Sequence, residues 1–169
     1  KAYSDYVSTG FLNVIHLNES KIRIPMGASL PGFIDGRGKI NGSIFHLEGE
    51  CHNRKEQRLE AGTVNHLTAQ WLNAPYLWGG RTILGIDCSG FVQVNYKMMG
   101  VDLPRDAWQQ AQEGETVRKL KDAVCGDLAF FDDKEEIVHV GILLGDDRII
   151  HASGKVRIDN IDKKGIINS

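Results

Sequence analysis

The apolar positions of this chain change period along its length, and that change predicts its layout. From Thr63 to Leu72, Val64, Leu67 and Trp71 fall at i, i+3 and i+7, one face of a helix. Asn73-Ala74-Pro75 ends it, because the residue before a proline disfavours helical backbone. A second helical pattern runs from Cys88 to about Met99. Phe91, Val94 or Asn95, and Met98 share one face, with Val92, Tyr96 and Met99 beside it. Gly100 follows where a C′ glycine would stand. Beyond it the pattern turns to strands at Asp127–Phe131, Ile137–Leu144 and Arg148–Ala152, separated by the acidic turns Asp132-Asp133 and Gly145-Asp146-Asp147. Helices followed by an antiparallel sheet define an α+β domain.

Residues 1 to 50 have another texture. Glycines recur at Gly10, Gly27, Gly32, Gly36, Gly38, Gly42 and Gly49, with strand-prone runs between them at Phe11–Ile15, Lys21–Ile24 and Ser43–Leu47. Pro31-Gly32 and Asp35-Gly36 are turn signals, since proline presets φ and glycine accepts positive φ. The pattern predicts a small all-β barrel or sheet of the binding or positioning kind. Residues 51–61 are polar and charged and read as a linker, leaving 62–169 as the α+β domain.

Composition narrows the possibilities. With 169 residues, 41% hydrophobic and 25% charged, the chain can bury a core and is not a disordered one. A net charge of −2 gives no electrostatic footprint for nucleic acid. No apolar run is long enough to span a bilayer. Three widely spaced cysteines are not the framework of a disulfide-stapled mini-protein, and the start at Lys1 reads as that of a processed or truncated product.

Chemistry concentrates in Pro75-Tyr-Leu-Trp-Gly-Gly80 and Gly85-Ile-Asp-Cys-Ser-Gly-Phe-Val92. A thiolate is the reactive form of cysteine, and Cys88 in the first turn of a helix is placed to be stabilised as one. The unpaired N–H groups of that turn would also hold an oxyanion. A base and an orienting group are available on the later strands. His139 lies between Val138 and Val140, so alternation sets it on the opposite face. His151 follows 12 residues later, far enough for a hairpin to bring the two histidines together.

These residues resemble the NlpC-type cysteine peptidases of bacterial cell walls. The resemblance is carried in order by Pro75-Tyr-Leu-Trp-Gly-Gly, Asp87-Cys-Ser-Gly-Phe-Val, Leu103-Pro-Arg, Gly126-Asp-Leu-Ala-Phe-Phe, His139-Val-Gly and Ile150-His-Ala-Ser. It covers residues 62 to 161, about 60% of the chain, a domain-sized share. It implies a papain-like fold and hydrolysis of the γ-D-glutamyl–diamino acid bond of peptidoglycan stem peptides, with no cofactor and no metal. By position, Cys88 would be the nucleophile, His139 the base and acid, and His151 the group that fixes the imidazole. Tyr76 would face the oxyanion and substrate, Trp78 would line the pocket, and Asp87 and Ser89 would bracket the nucleophile and bind a substrate amine. The N-terminal region is similar to the SH3-like barrels that precede such domains, which narrow the groove so that short peptides with a free N-terminal L-Ala are preferred. After Leu103-Pro-Arg105, where many relatives have Ser or Thr, Asp106-Ala107 stand. Recognition of the γ-glutamyl group then differs here, or Asp106 takes the hydroxyl's place. The substrate class implies the cell envelope (periplasm) or a secreted protein, with cytoplasmic recycling as the other setting.

Plainer readings compete. Cys88 as an inert buried thiol, His139 and His151 as packed strand residues, Tyr76 and Trp78 as aromatic core, and Asp87 as an N-cap each need no catalysis. Zinc at His46, Cys51 and His52, or at Cys88, His139 and His151, lacks a fourth ligand or a familiar spacing. The rival activities are an amidase or acyltransferase using the same Cys–His pair, or an inactive cell-wall-binding protein. Oligomeric state leaves no trace in the sequence.

Overall fold

The computed structural model describes residues 4–145 and 147–167, so Asp146 of the expected acidic turn and both chain ends lie outside the described residues. Six short strands come first: β1 Tyr6–Ser8, β2 Leu12–Leu17, β3 Ser20–Pro25, β4 Arg37–Ile40, β5 Ser43–Glu48 and β6 Cys51–Asn53. Four of them form an antiparallel sheet in the order β3-β2-β5-β4, and β1 pairs with β6 across its ends. The three runs expected to be strands are β2, β3 and β5, each slightly longer than its apolar core. The core of this region is small, centred on Ile15, Leu30 and Phe45. A side chain at Gly38 would run into the Phe45 ring, which explains glycine in the middle of β4.

The stretch read as a linker does structural work. Cys51–Asn53 pairs with β1, so the N-terminal ladder runs to Asn53 and not to residue 50. A single 3₁₀ turn, Arg54–Glu56, follows. Arg54 is buried despite its charge, because Asp102 accepts from its Nη1 at 2.8 Å. His52 bonds the Met98 carbonyl at 2.9 Å, and Lys97 donates to the Gly27 carbonyl at 2.7 Å. Val7 and Met26 lie in the main core of the following domain, so the two regions share packing.

That domain opens with α1, Ala61–Ala69, followed by turns through Trp71 and Leu72. Val64, Leu67 and Trp71 are buried, as their spacing predicts. The short ladder of β7 (Arg81–Thr82) and β8 (Gly85–Ile86) leads into α2, Cys88–Met98. Nine of the 11 residues of α2 are buried, so it is a central helix and not an amphipathic surface one. A one-turn helix, α3 (Ala107–Gln110), precedes the sheet.

The sheet is a meander of five antiparallel strands in the order β13-β12-β11-β10-β9. Its strands are β9 Leu128–Asp133, β10 Glu136–Leu143, β11 Arg148–Ser153, β12 Lys155–Asp162 and β13 Gly165–Ile167. The last two have no counterpart in the strand pattern read from the sequence. Val140, Ile142, Ile150, Ala152 and Val156 form the face under α2, in one core with Phe91, Val94 and Met98. The other face carries Leu143, Ile149 and Ile161. No helix among the described residues is long and apolar enough to cross a membrane.

Candidate active site

The start of α2 is fixed by one carboxylate. Asp87 is the N-cap: Oδ1 accepts the Gly90 N–H at 2.7 Å and Oδ2 the Gly79 N–H at 2.8 Å. Arg105 donates to the same oxygens in a fork, at 3.0 and 2.5 Å, and to Ser89 Oγ at 2.8 Å. Burial alone would raise the pKa of Asp87, but the Arg105 fork and the backbone donors hold it below the usual carboxylate range. With Ser89 Oγ, 3.4 Å from Oδ1, five donors occupy the carboxylate, and Asp87 and Ser89 are buried. In this structure Asp87 and Ser89 clamp the loop to the helix and neutralise Arg105. Close packing needs the flanking glycines as well, since a Cβ at Gly90 would meet the Gly80 carbonyl at 2.6 Å.

Cys88 follows directly, buried at 8% exposure, with the backbone N–H groups of Val140 and Ser89 close enough to act on its charge. These favour the thiolate. Burial works against it more strongly, the Asp87 charge adds to burial, and the thiol is raised above its ordinary value. The helix start thus does not by itself ionise Cys88, contrary to the simple expectation from the helix dipole. All three cysteines are free. Burial also raises Cys51 and Cys125, the latter offset in part by the Arg148 charge.

The histidines lie on the strands next to that sulfur. His139 immediately precedes Val140, at an irregularity in β10 where the register with β9 shifts between Ile137 and His139. The shift leaves Val138 exposed while Val140 is buried, so the two valines do not share a face as strict alternation predicts. His139 Nε2 and His151 Nδ1 are 2.8 Å apart, with the rings nearly perpendicular at 82°. No hydrogen bond joins Cys88 to His139 among the described residues. Gly141 pairs with His151 across β10 and β11, and a Cβ there would lie 2.9 Å from that of His151. Burial, and then the neighbouring His151, push the His139 imidazole down to about 4. Both shifts favour the uncharged forms, the thiol of Cys88 and the neutral ring of His139.

Tyr76 docks through its backbone N–H on the Gly154 carbonyl at 3.0 Å. Burial raises its hydroxyl pKa, with Cys88 and Asp87 adding to the effect, which places the phenol within electrostatic reach of the sulfur. Trp78 is 86% exposed on the loop, which excludes the aromatic-core reading, and Leu77 and Leu84 are exposed beside it. Asp106 takes the N-cap position of α3, its N–H bonded to Gln109 Oε1 at 3.2 Å.

Three side chains at the site were not singled out from the sequence. Arg105 stood only within Leu103-Pro-Arg, with nothing to say that it returns to Asp87. Asp159, 3% exposed, accepts from His151 Nε2 at 3.0 Å and from Arg157 Nη2 at 2.6 Å. Gln110, also buried, donates to the Ser89 and Pro104 carbonyls at 3.0 and 2.9 Å, tying α3 to the start of α2.

A cysteine opening a central helix, packed on an antiparallel sheet that carries a histidine pair, is the arrangement of papain-like thiol hydrolases. The NlpC/P60 family model matches residues 73–168, more than half of the chain, and the protein belongs to that family. It is 40% identical over 116 residues to a γ-D-glutamyl-L-lysine dipeptidyl-peptidase of Bacillus subtilis, a match covering 67% of this chain and 39% of that one. It is 33% identical over 139 residues to a probable endopeptidase NlpC homolog of Haemophilus influenzae, covering 80% and 73% of the two chains. An NlpC/P60 family protein from Bacillus cereus superposes with a TM-score of 0.77 at 26% identity, over 95% of this chain and 59% of that one. The chain thus spans about two fifths of the length of the B. subtilis relative.

Proposed function

We propose that the protein is a cysteine endopeptidase that hydrolyses the γ-D-glutamyl–diamino acid bond of peptidoglycan stem peptides or their turnover fragments. The observation that carries this reading is a buried cysteine at the start of α2, in one core with Val140, the strand residue that follows His139, whose ring lies 2.8 Å from that of His151. The names of the B. subtilis and H. influenzae relatives support it.

Because thiol and imidazole are both neutral at rest, the proton moves as the sulfur attacks. His139 accepts the Cys88 proton, sulfur adds to the γ-glutamyl carbonyl, and the oxyanion is received by N–H groups of the first turn of α2 and the Tyr76 hydroxyl. Collapse expels the diamino acid amine, which takes the proton back from His139. Water, deprotonated by the same ring, then cleaves the thioester. Asp87, Ser89 and Arg105 hold the helix start still, and exposed Trp78 offers an aromatic surface for the peptide. Residues 4–53 we read as an SH3-like positioning module, held rigidly by the Lys97, His52 and Arg54 contacts. The substrate sets the place of action in the cell envelope, outside the cell, or in cytoplasmic recycling.

The test is mass spectrometry of products from L-Ala-γ-D-Glu-diaminopimelate and the lysine analogue, with an amide and an acyl ester as comparison substrates. Cleavage at the γ-glutamyl bond that falls by at least about 1000-fold in Cys88→Ala is the expected result. Retention of cleavage by Cys88→Ala, or turnover of the amide or ester alone, would overturn the assignment.

A further inference from the structure

We infer that Asp159 is a positioning residue that dictates the tautomers of both site histidines and thereby aims the lone pair of His139. The inference rests on the hydrolase reading above.

A neutral imidazole carries one N–H and one lone pair, so every hydrogen bond along a chain of such rings has a direction that some fixed group must set. Asp159 is that group. Its side chain is 1% exposed and its two oxygens face different donors, His151 Nε2 and Arg157 Nη2. Burial would raise its pKa, but these two partners outweigh burial and hold it below the usual carboxylate range. An ionised carboxylate only accepts, so His151 Nε2 must carry the hydrogen. In the neutral ring His151 Nδ1 is then the lone pair. The group 2.8 Å from it, His139 Nε2, must be the N–H. That leaves Nδ1 of His139 as the lone pair, the one nitrogen of the ring able to take a proton. The His151 side chain is 2% exposed, so water cannot substitute for either partner.

Strand register makes the arrangement rigid. His151 pairs with Arg157 and Ile149 with Asp159 across β11 and β12, so histidine, arginine and aspartate share one face of the sheet. Without the carboxylate, His151 is free to adopt the Nδ1–H form and donate to His139 Nε2. His139 would then carry its hydrogen on Nδ1, and its lone pair would be spent on His151. When His139 is transiently protonated, the Asp159 charge stabilises it through His151 without itself accepting a proton.

The experiment uses the full chain, wild type and with Asp159→Asn or Asp159→Glu. Long-range proton–nitrogen NMR assigns the hydrogen-bearing nitrogen of each ring near neutral pH, and kcat and KM are measured on the γ-D-glutamyl peptide. Expected are Nε2–H tautomers for both His139 and His151 in the wild type. In Asp159→Asn, His151 should lose that signature while kcat falls about 10- to 100-fold and KM stays within about twofold. Asp159→Glu should recover part of both. An Nδ1–H tautomer at His151 in the wild type overturns the inference. So does a kcat loss in Asp159→Asn with both tautomers unchanged, which would mark a merely structural role. If the wild type fails to cleave the peptide, the hydrolase reading falls, while the wild-type tautomers still decide this point.

Discussion

Two buried aspartates flank the site, each paired with an arginine whose side chain is 31% exposed, yet they do different things. Asp87, under the start of α2, spends its oxygens on two backbone N–H groups and a forked guanidinium. Asp159, behind the strands, gives one oxygen to an imidazole and the other to a single guanidinium nitrogen. The first output is mechanical: loop, helix and Arg105 are locked in one geometry. The second is chemical, because an imidazole responds to its partner by choosing which nitrogen bears hydrogen. What a buried carboxylate contributes therefore depends less on its charge than on whether its donors can change state.

The sharpest way to break this contrast is to remove each carboxylate and compare stability. Asp87→Ala orphans two backbone donors and leaves Arg105 without its fork, at a cost of about 3 kcal/mol. For a chain of this size that is a fall of roughly 6–12 °C in Tm. Asp159→Ala should cost less, about 1–2 kcal/mol, because it orphans one buried donor, His151 Nε2, while Arg157 has a single bond to lose and can turn to solvent. Thermal melts of the two variants check this. A larger loss in Asp159→Ala would mean that both aspartates are structural clamps.

A pH titration of stability separates the two sides more finely. His139 is held to about 4 against an ordinary 6.5, so the folded state stays neutral there while the unfolded chain takes up a proton. The contribution is intact above about 6.5 and is lost as the pH falls toward about 4, on the order of 2 kcal/mol after allowing for partial exposure. His52 is also lowered by burial and adds to the same limb. Both aspartates are shifted down, so their contributions persist until lower pH, disappearing as pH drops through their folded values. Urea melts between pH 7 and 4.5 should show the loss, and His139→Gln should reduce its slope. An unchanged slope would place the acid sensitivity elsewhere.

The helix side of the site was far more legible in the sequence than the strand side. Asp87-Cys-Ser-Gly carries an N-cap and a glycine within three residues, so local chemistry alone starts the helix. Val64, Leu67 and Trp71 likewise announced their face by spacing. The histidines emerged from alternation and from the residues around them. Asp159 did not, because aspartate is disfavoured in strands and its reason for burial is a histidine eight residues back, visible only once β12 folds against β11. Arg105 was hidden for the same reason: its partner is set by a long-range fold, and no local pattern records that. Cys51–Asn53 looked like a linker because polar residues conceal a strand whose purpose is pairing with β1.

The smallest expected effect distinguishes the two arginines by geometry. Arg105 reaches both oxygens of Asp87 and also Ser89, which only a planar fork can do. Lysine keeps the charge but offers a point donor, so Arg105→Lys should cost about 1–1.5 kcal/mol. Arg157 meets Asp159 through one nitrogen, and a lysine ammonium can replace one such bond, so Arg157→Lys should cost no more than about 0.5 kcal/mol. Paired denaturant melts resolve that gap if both variants keep the wild-type m-value. Equal losses would show that charge alone holds both carboxylates. A larger loss at Arg157 would mean that the donor to Asp159 must be as exactingly placed as the fork on Asp87, and the helix side would lose its claim to be the mechanically locked half of the site.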